Sequence, residues 1–222
     1  MSGDFVYSPK EKRALFSCPL FGEGEDLAAA LALLEAVPVR YAKGEVLLER
    51  GAPVLHFGLV LSGRVEGYRD DIDGNQVMLT HVSPGETFGE SLCFLRRERS
   101  PLYIQAAEDT AVLWLKTDAL MAPSPSPLAL LLFRRFTGML AERALAMNGR
   151  IQILSRKTLR EKLLFFLAGC RREAGEGTFS IPFDREKLAI YLGVNRSALS
   201  RELSKLQREG VLTYYKNTFR LE

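Results

Sequence analysis

Six residues, Ala122-Pro123-Ser124-Pro125-Ser126-Pro127, divide this chain into two textures. Prolines at alternate positions fix φ and remove backbone donors, so neither a central strand nor a helix interior can run through them. Before this run, from Val39 to Lys116, short apolar stretches recur: Val46-Leu47-Leu48, Leu59-Val60-Leu61, Val77-Met78-Leu79 and Val112-Leu113-Trp114-Leu115. Glycine-bearing turns separate them at Lys43-Gly44-Glu45, Leu61-Ser62-Gly63, Asp73-Gly74-Asn75 and Pro84-Gly85-Glu86. Short strands with closely spaced turns predict a β-sandwich or β-roll, with Asp73-Gly74-Asn75 as a hairpin tip. A helical stretch over Glu25–Ala36 precedes them.

After the prolines the period is helical to about Thr158. Leu140, Ala144, Met147, Ile151 and Leu154 alternate steps of four and three, the spacing of a short coiled-coil seam. A helix packed on its own β-domain would show a similar stripe, and Gly138 and Gly149 weaken the helix. Because a basic segment comes after it, a dimer seam built on Leu140, Met147, Ile151 and Leu154 is the preferred expectation. From Thr158 come a helix over Leu159–Glu173, a turn at Gly175 and Gly177, two helical stretches, and a closing hairpin. Its arms are Val211–Tyr215 and Phe219–Leu221 around Lys216-Asn217-Thr218. Three helices and a hairpin in that order are those of a winged helix. The expected class is α+β: a β-roll (double-stranded β-helix) over 1–121, a linker and long dimerisation helix over 122–157, and a winged helix-turn-helix over 158–222.

With 222 residues, 47% hydrophobic and 26% charged, the chain has a globular composition, which excludes a disordered tail or a fibre. Its longest apolar run, Leu27–Leu34, is eight residues, against the ~18 a membrane span needs. The opening residues do not form a signal peptide, and three scattered cysteines suit a reducing compartment, so a cytoplasmic location without a membrane partner is expected. Charge is unevenly placed. Residues 1–150 hold 16 Lys and Arg against 19 Asp and Glu, whereas residues 151–222 hold 14 against 8. Basic charge gathered in one segment is the footprint of a polyanion-binding unit, although many solvated helix surfaces are as basic.

The segment Phe183–Gly210 carries the most chemistry. Asp184 can cap a helix with Glu186 in its first turn, ending near Tyr191. Leu192-Gly193-Val194 then supplies the tight turn of a helix-turn-helix, and Asn195 caps a second helix. Leu199, Leu203 and Leu206 form its inward stripe; Arg196, Ser197, Ser200, Arg201 and Ser204 lie opposite. Arginine can bond guanine O6 and N7 with both arms, and serine can donate or accept at base edges or phosphates. Arg196, Ser197, Ser200 and Arg201 are therefore the expected contacts to double-stranded DNA. Lys205 and Arg208 lie farther along, within reach of backbone only. An ordinary solvated face carries acids as well, and none occurs between Arg196 and Arg201.

The order of strand-rich region, long helix and C-terminal helix-turn-helix resembles the Crp–Fnr superfamily of bacterial transcription regulators over nearly the whole chain. Gly-Glu-x-Phe-Gly-Glu at Gly85–Glu90, with Arg99-Ser100, looks like that family's phosphate-binding cassette. Arg196 and Arg201 stand where cyclic-AMP-responsive members place base-contacting arginines, and Ser200-Arg201 resembles the Ser-Arg pair of the oxygen-responsive branch. Ser197 replaces the glutamate that both branches use to read the opposite strand. The resemblance implies a homodimer on a palindromic operator, RNA polymerase as a partner in an activator, and a small effector.

For that effector the resemblance implies Gly89, Glu90, Ser91, Arg99 and Ser100. Backbone N–H groups of the turn Phe88–Phe94 would surround a phosphate, Arg99 would compensate its charge, Ser100 would bond it, and Glu90 would accept from a ribose hydroxyl. The cassette departs from the cyclic-AMP-responsive pattern in being one residue shorter, in Pro101, and in the extra charges Arg96 and Arg97. Leu145 and Ala146 stand where those members carry hydroxyl residues that grip adenine, and neither can bond a purine edge. Two readings stay open: a cyclic nucleotide or other phosphorylated anion, or an unlike effector or none. In the second, the cassette is scaffold and Arg99 pairs with Glu90 or Glu98.

Other chemistries find less support. An iron–sulfur cluster needs about four cysteines in one place, and Cys18, Cys93 and Cys170 do not supply them. His56 and His81 sit in apolar strands, which favours structural roles over haem ligation, and Cys93 between Leu92 and Phe94 reads as packing. No metal-ligand spacing or catalytic triad stands out, so no catalytic residue, metal site or enzymatic activity is expected. A second function class remains: a cyclic-nucleotide-binding module acting on a protein partner. Such a module has no use for the stripe from Arg196 to Arg201.

Overall fold

The computed structural model describes residues 7–22, 26–70, 76–95, 99–175, 177–181 and 183–222. It begins with α1 (Pro9–Ser17), whose start is a reciprocal cap. Ser8 N donates to Glu11 Oε2 at 2.7 Å and Glu11 N donates to Ser8 Oγ at 3.3 Å, with Pro9 in the first helical position. This helix lies outside the sequence expectation, although Ser8-Pro9 and Glu11 signal it. α2 (Leu27–Leu33) is shorter than the expected Glu25–Ala36. Asp26 Oδ1 accepts from the amides of Ala28 and Ala29 at its start, and Glu35 at φ +45° turns the chain away after its end.

Among the described residues eight strands follow: β1 (Val37–Tyr41), β2 (Val46–Leu48), β3 (Phe57–Ser62), β4 (Val65–Asp70), β5 (Gln76–Val82), β6 (Thr87–Phe88), β7 (Tyr103–Ala106) and β8 (Thr110–Leu115). They form two antiparallel four-stranded sheets, ordered β1-β8-β3-β6 and β2-β7-β4-β5. The expected hairpin tip at Asp73-Gly74-Asn75 lies outside the described residues; Asp70 of β4 pairs with Gln76 of β5 beside it. α3 (Glu90–Leu95) interrupts the strands after β6.

Alternation along β3 and β8 serves two cores. Phe57, Leu59 and Leu61, with Ala111, Leu113 and Leu115, join Leu15 of α1 and Leu132 and Phe136 of α4 (Pro127–Leu154). Val60 and Val112 join Val65, Val82, Phe88 and Ile104, where Phe88 meets Trp114 edge-on at 5.3 Å. A strand buried on both faces has no solvent side on which to place polar residues, which is why Phe57–Leu61 reads as an unbroken apolar run.

The chain divides into two compact units, Met1–Ala141 and Glu142–Glu222. In the second, Thr158 and Glu161 form another reciprocal cap at the start of α5 (Leu159–Ala174). α6 (Arg185–Leu192) and α7 (Arg196–Arg208) follow, then β10 (Leu212–Tyr215) and β11 (Thr218–Leu221). Leu163, Leu167, Leu188, Leu192, Leu199, Leu203, Leu206, Leu212 and Phe219 form its core. A two-residue strand, β9 (Phe179–Ser180), pairs with β11 and makes the wing three-stranded, beyond the expected hairpin. The architecture is α+β: antiparallel strands, a long helix, then a helical unit closed by a small sheet.

Candidate nucleic-acid interface and effector cassette

The turn into α7 depends on Gly193, which sits at φ +67°, ψ +42° and donates to Ala189 O and Ile190 O. A β-carbon is disfavoured in that left-handed conformation and would also stand 3.2 Å from Leu154 Cδ2. Asn195 then starts α7, its Oδ1 accepting from Ala198 N at 2.7 Å. Leu199, Leu203 and Leu206 are fully buried, so the opposite face is fixed outward. Arg196, Ser197 and Arg201 are exposed on it. Ser200, expected on the same stripe, is half-buried, because it borders the inward-turning Leu199 and Leu203. Ser197 Oγ donates to Asn195 Oδ1 at 2.8 Å. No hydrogen bond or ion pair among the described residues holds Arg196 or Arg201, which leaves both guanidinium forks available.

Beside α7 stands the wing. Lys216 and Asn217 make the two-residue turn between β10 and β11, with Lys216 at φ +53°. Arg185, at the start of α6, lays its guanidinium 4.9 Å from the Tyr214 ring centre, and its Nη2 donates to Lys216 O at 3.2 Å. Burial and the charge of Arg196 push Arg185 below its ordinary value. Asn217 Nδ2 donates to Ile181 O at 3.1 Å, and Ile181 N donates to Asn217 O at 2.9 Å. The sequence placed Tyr214, Lys216 and Asn217 in the closing hairpin but gave none of these residues a part in binding. The signal was there in Tyr214-Tyr215-Lys216-Asn217, a short polar turn after an aromatic pair, next to a basic helix start.

The five cassette residues lie at β6, α3 and the Arg99–Ser100 segment, and the side chains of Glu90, Arg99 and Ser100 are bonded to the protein itself. Gly89 makes the bend at φ +80°, and its carbonyl accepts from Cys93 N at 2.9 Å. Glu90 is buried, 3% exposed, and accepts a hydrogen bond from Thr87 Oγ1. Ser91 is exposed. Arg99 is exposed and its Nη1 donates to Gly51 O at 2.7 Å. Ser100 is buried, and its hydroxyl donates to Leu102 O at 2.5 Å. Arg96, Arg97 and Glu98 lie outside the described residues.

On α4, Leu140 is half-buried against the core of the first unit, a departure from the expected seam. Its side chain is turned to the roll's own apolar residues. Met147 is 61%, Ile151 60% and Leu154 38% exposed, and Leu145, off that stripe, is 70% exposed. Burial lowers the His56 imidazole, and the neighbouring Lys116 charge adds to the effect. Cys93 is buried with its thiol donating to Leu55 O at 3.3 Å. Among the described residues no cluster of three or more His, Cys, Asp and Glu could hold a metal, and no helix is long and apolar enough to cross a membrane.

Residues 38–122 match the cyclic nucleotide-binding domain, and residues 161–222 match the Crp-like helix-turn-helix domain. Over 174 residues the chain is 30% identical to the cyclic AMP receptor protein of Thermus thermophilus, a stretch covering 75% of this chain and 78% of that protein. The chain belongs to the Crp–Fnr family of transcription regulators. Among solved structures of that family, FixK2 from Bradyrhizobium japonicum superposes with a TM-score of 0.51 at 26% identity, over 84% of this chain and 92% of that one. The Thermus thermophilus catabolite activator protein gives 0.50 at 26% identity, over 92% and 93%. These Crp–Fnr relatives are transcription regulators and not enzymes. Within the Crp–Fnr frame, α6, Gly193 and α7 form the helix-turn-helix and β9, β10 and β11 the wing.

Proposed function

We propose that this chain is a homodimeric, sequence-specific DNA-binding regulator that reads a palindromic duplex site through α7 and senses a small effector in its roll. The observation that carries the proposal is the outer stripe of α7. Arg196 and Arg201 stand exposed, one and a half turns apart, with no group among the described residues holding either guanidinium. Ser197 lies between them, and the whole is fixed outward by three fully buried leucines. Such a face can place guanidinium forks on guanine edges in a major groove. Met147, Ile151 and Leu154 on α4 supply the apolar stripe for a second copy, which would set two α7 helices about one helical turn of DNA apart. The working division is a sensing unit over 1–121, a linker and long helix over 122–157, and a DNA-binding unit over 158–222.

The effector would act by favouring one arrangement of the two DNA-binding heads. Glu90, Arg99 and Ser100 are occupied by Thr87, Gly51 and Leu102, so an anion entering the cassette would have to exchange those bonds for its own. The exposed Leu145 offers no hydrogen bond to a purine, which favours an effector other than an adenine nucleotide.

Fluorescence anisotropy with random duplex at low salt, followed by selection of a preferred site, tests the DNA-binding proposal. Arg201→Ala is expected to cost about 1–3 kcal/mol of discrimination between the selected site and random duplex. Full retention of that preference, or no binding to any duplex, overturns it.

A further inference from the structure

A cavity of about 410 Å³ opens in the first unit between β1, β2 and residues 53–56, within the size of a small-molecule site. β1 and β2 end different sheets, so among the described residues each pairs on one side only. The two-residue period of β1 turns Val37, Val39 and Tyr41 into the cavity and Arg40 away from it, onto Glu11 of α1. Trp114 of β8 adds a second aromatic wall. Val37 and Leu55 line the cavity and stand exposed at its mouth.

Two polar groups face this space. Tyr41 Oη accepts from Trp114 Nε1 at 2.8 Å, and its own proton has no acceptor among the described residues. Burial and the Lys116 charge keep the His56 imidazole neutral at pH 7. With His56 neutral, none of the lining side chains carries a formal charge. The loop that closes the cavity also holds the cassette. Leu55 O accepts from the Cys93 thiol of α3 at 3.3 Å, Gly51 O from Arg99 Nη1 at 2.7 Å, and Ala52 O from Ser100 N at 2.9 Å. Residues 53–56 therefore face the cavity, while carbonyls of the same loop fix α3 and the Arg99–Ser100 segment.

We infer that this cavity is a second effector site, which takes an uncharged planar aromatic molecule bearing a hydrogen-bond acceptor, with the Tyr41 hydroxyl as donor. None of Gly89, Glu90, Ser91, Arg99 and Ser100 lines it. A phosphorylated ligand would lose its hydration here without meeting a countercharge. A purely apolar ligand would cover the Tyr41 proton and leave it unbonded. A flat ring with one acceptor meets both demands, against the indole, the phenol and the branched side chains. The regulatory half of the inference rests on the effector sensing proposed above; the binding site does not.

Trp114 is the single tryptophan of the chain, so its emission reports on this wall. The probe is Prodan, an uncharged naphthyl ketone that absorbs where indole emits. Titrated into the full chain without DNA, it is expected to quench Trp114 saturably, with one molecule bound per chain. Val37→Glu and Leu55→Glu, at exposed positions where folding is not in question, are each expected to weaken binding about tenfold or more. Acetylnaphthalene and ethylnaphthalene, alike in shape but with and without the oxygen, then compete for the site. The ketone is expected to bind about threefold to tenfold more tightly, and Tyr41→Phe to erase that difference. Absence of saturable quenching, or quenching that survives both mouth variants, overturns the site. A ketone advantage that persists in Tyr41→Phe overturns the role given to its hydroxyl. Prodan is also expected to change the affinity of the unaltered chain for its selected duplex, an effect that Leu55→Glu removes. Unchanged DNA affinity with the cavity filled overturns the effector role and leaves the binding site. A chain that binds no duplex overturns the proposed function instead, and the titration without DNA is read independently of it.

Discussion

Glu11 shows how one side chain can be placed by competing effects. Burial alone would raise its carboxyl, but the Ser8 amide and hydroxyl and the Arg40 guanidinium at 3.1 Å outweigh it and hold the group below its ordinary 4.5. A carboxyl lowered in the folded state contributes stability that is complete above its unfolded value and is lost as pH falls through the folded one. Unfolding stability is therefore expected to decline below about pH 4.5, and Glu11→Gln should flatten part of that decline. Denaturant melts at pH 7, 5, 4 and 3 check it, and an unchanged acid limb in the variant would refute the assignment. The bond network is local enough to be legible in Ser8-Pro9 and Glu11, whereas Arg40 arrives from a strand 29 positions away. The same contrast runs through the cassette. Gly89 and Glu90 are recognisable from spacing, but the engagement of Arg99 by Gly51 O joins residues 48 positions apart, which no local pattern encodes.

Among the elements, α7 was the most legible, because a cap, a leucine stripe and an outer stripe of arginines and serines all agree within the fourteen residues from Asn195 to Arg208. Asn195→Ala removes the acceptor for Ala198 N and is expected to cost about 1 kcal/mol of stability, with the loss confined to the second unit. Thermal or urea unfolding monitored in that unit checks the value, and a change below about 0.3 kcal/mol would mean water replaces the cap without cost. β9 was not legible, since two residues cannot show a period and its pairing with β11 is made across 38 positions. α4 was legible as a helix but not in its allegiance. A stripe of apolar residues states that something covers it, and only the fold reveals that Leu140 is turned to its own core while Met147 and Ile151 are not.

At the scale of the whole molecule, the two units give two questions that can be separated. Binding of an effector to the folded first unit must raise its unfolding free energy, by about 2.7 kcal/mol at a concentration 100 times the dissociation constant. With cyclic AMP as the probe, the Leu145 argument predicts no rise in the thermal midpoint; a clear rise that disappears in Arg99→Ala would overturn it and make the cassette a working nucleotide site. Neither outcome bears on the helix-turn-helix, which is read from residues of the second unit.

Along α4, residues 141–148 are exposed at every successive position, a stretch of more than two turns. Amides in such a stretch are guarded only by the helix's internal bonds and open with the least free energy in the element. Solvent deuterium thereby becomes a clock for this segment: fast uptake marks a chain standing alone, and slow uptake marks the moment another surface has come to lie against it.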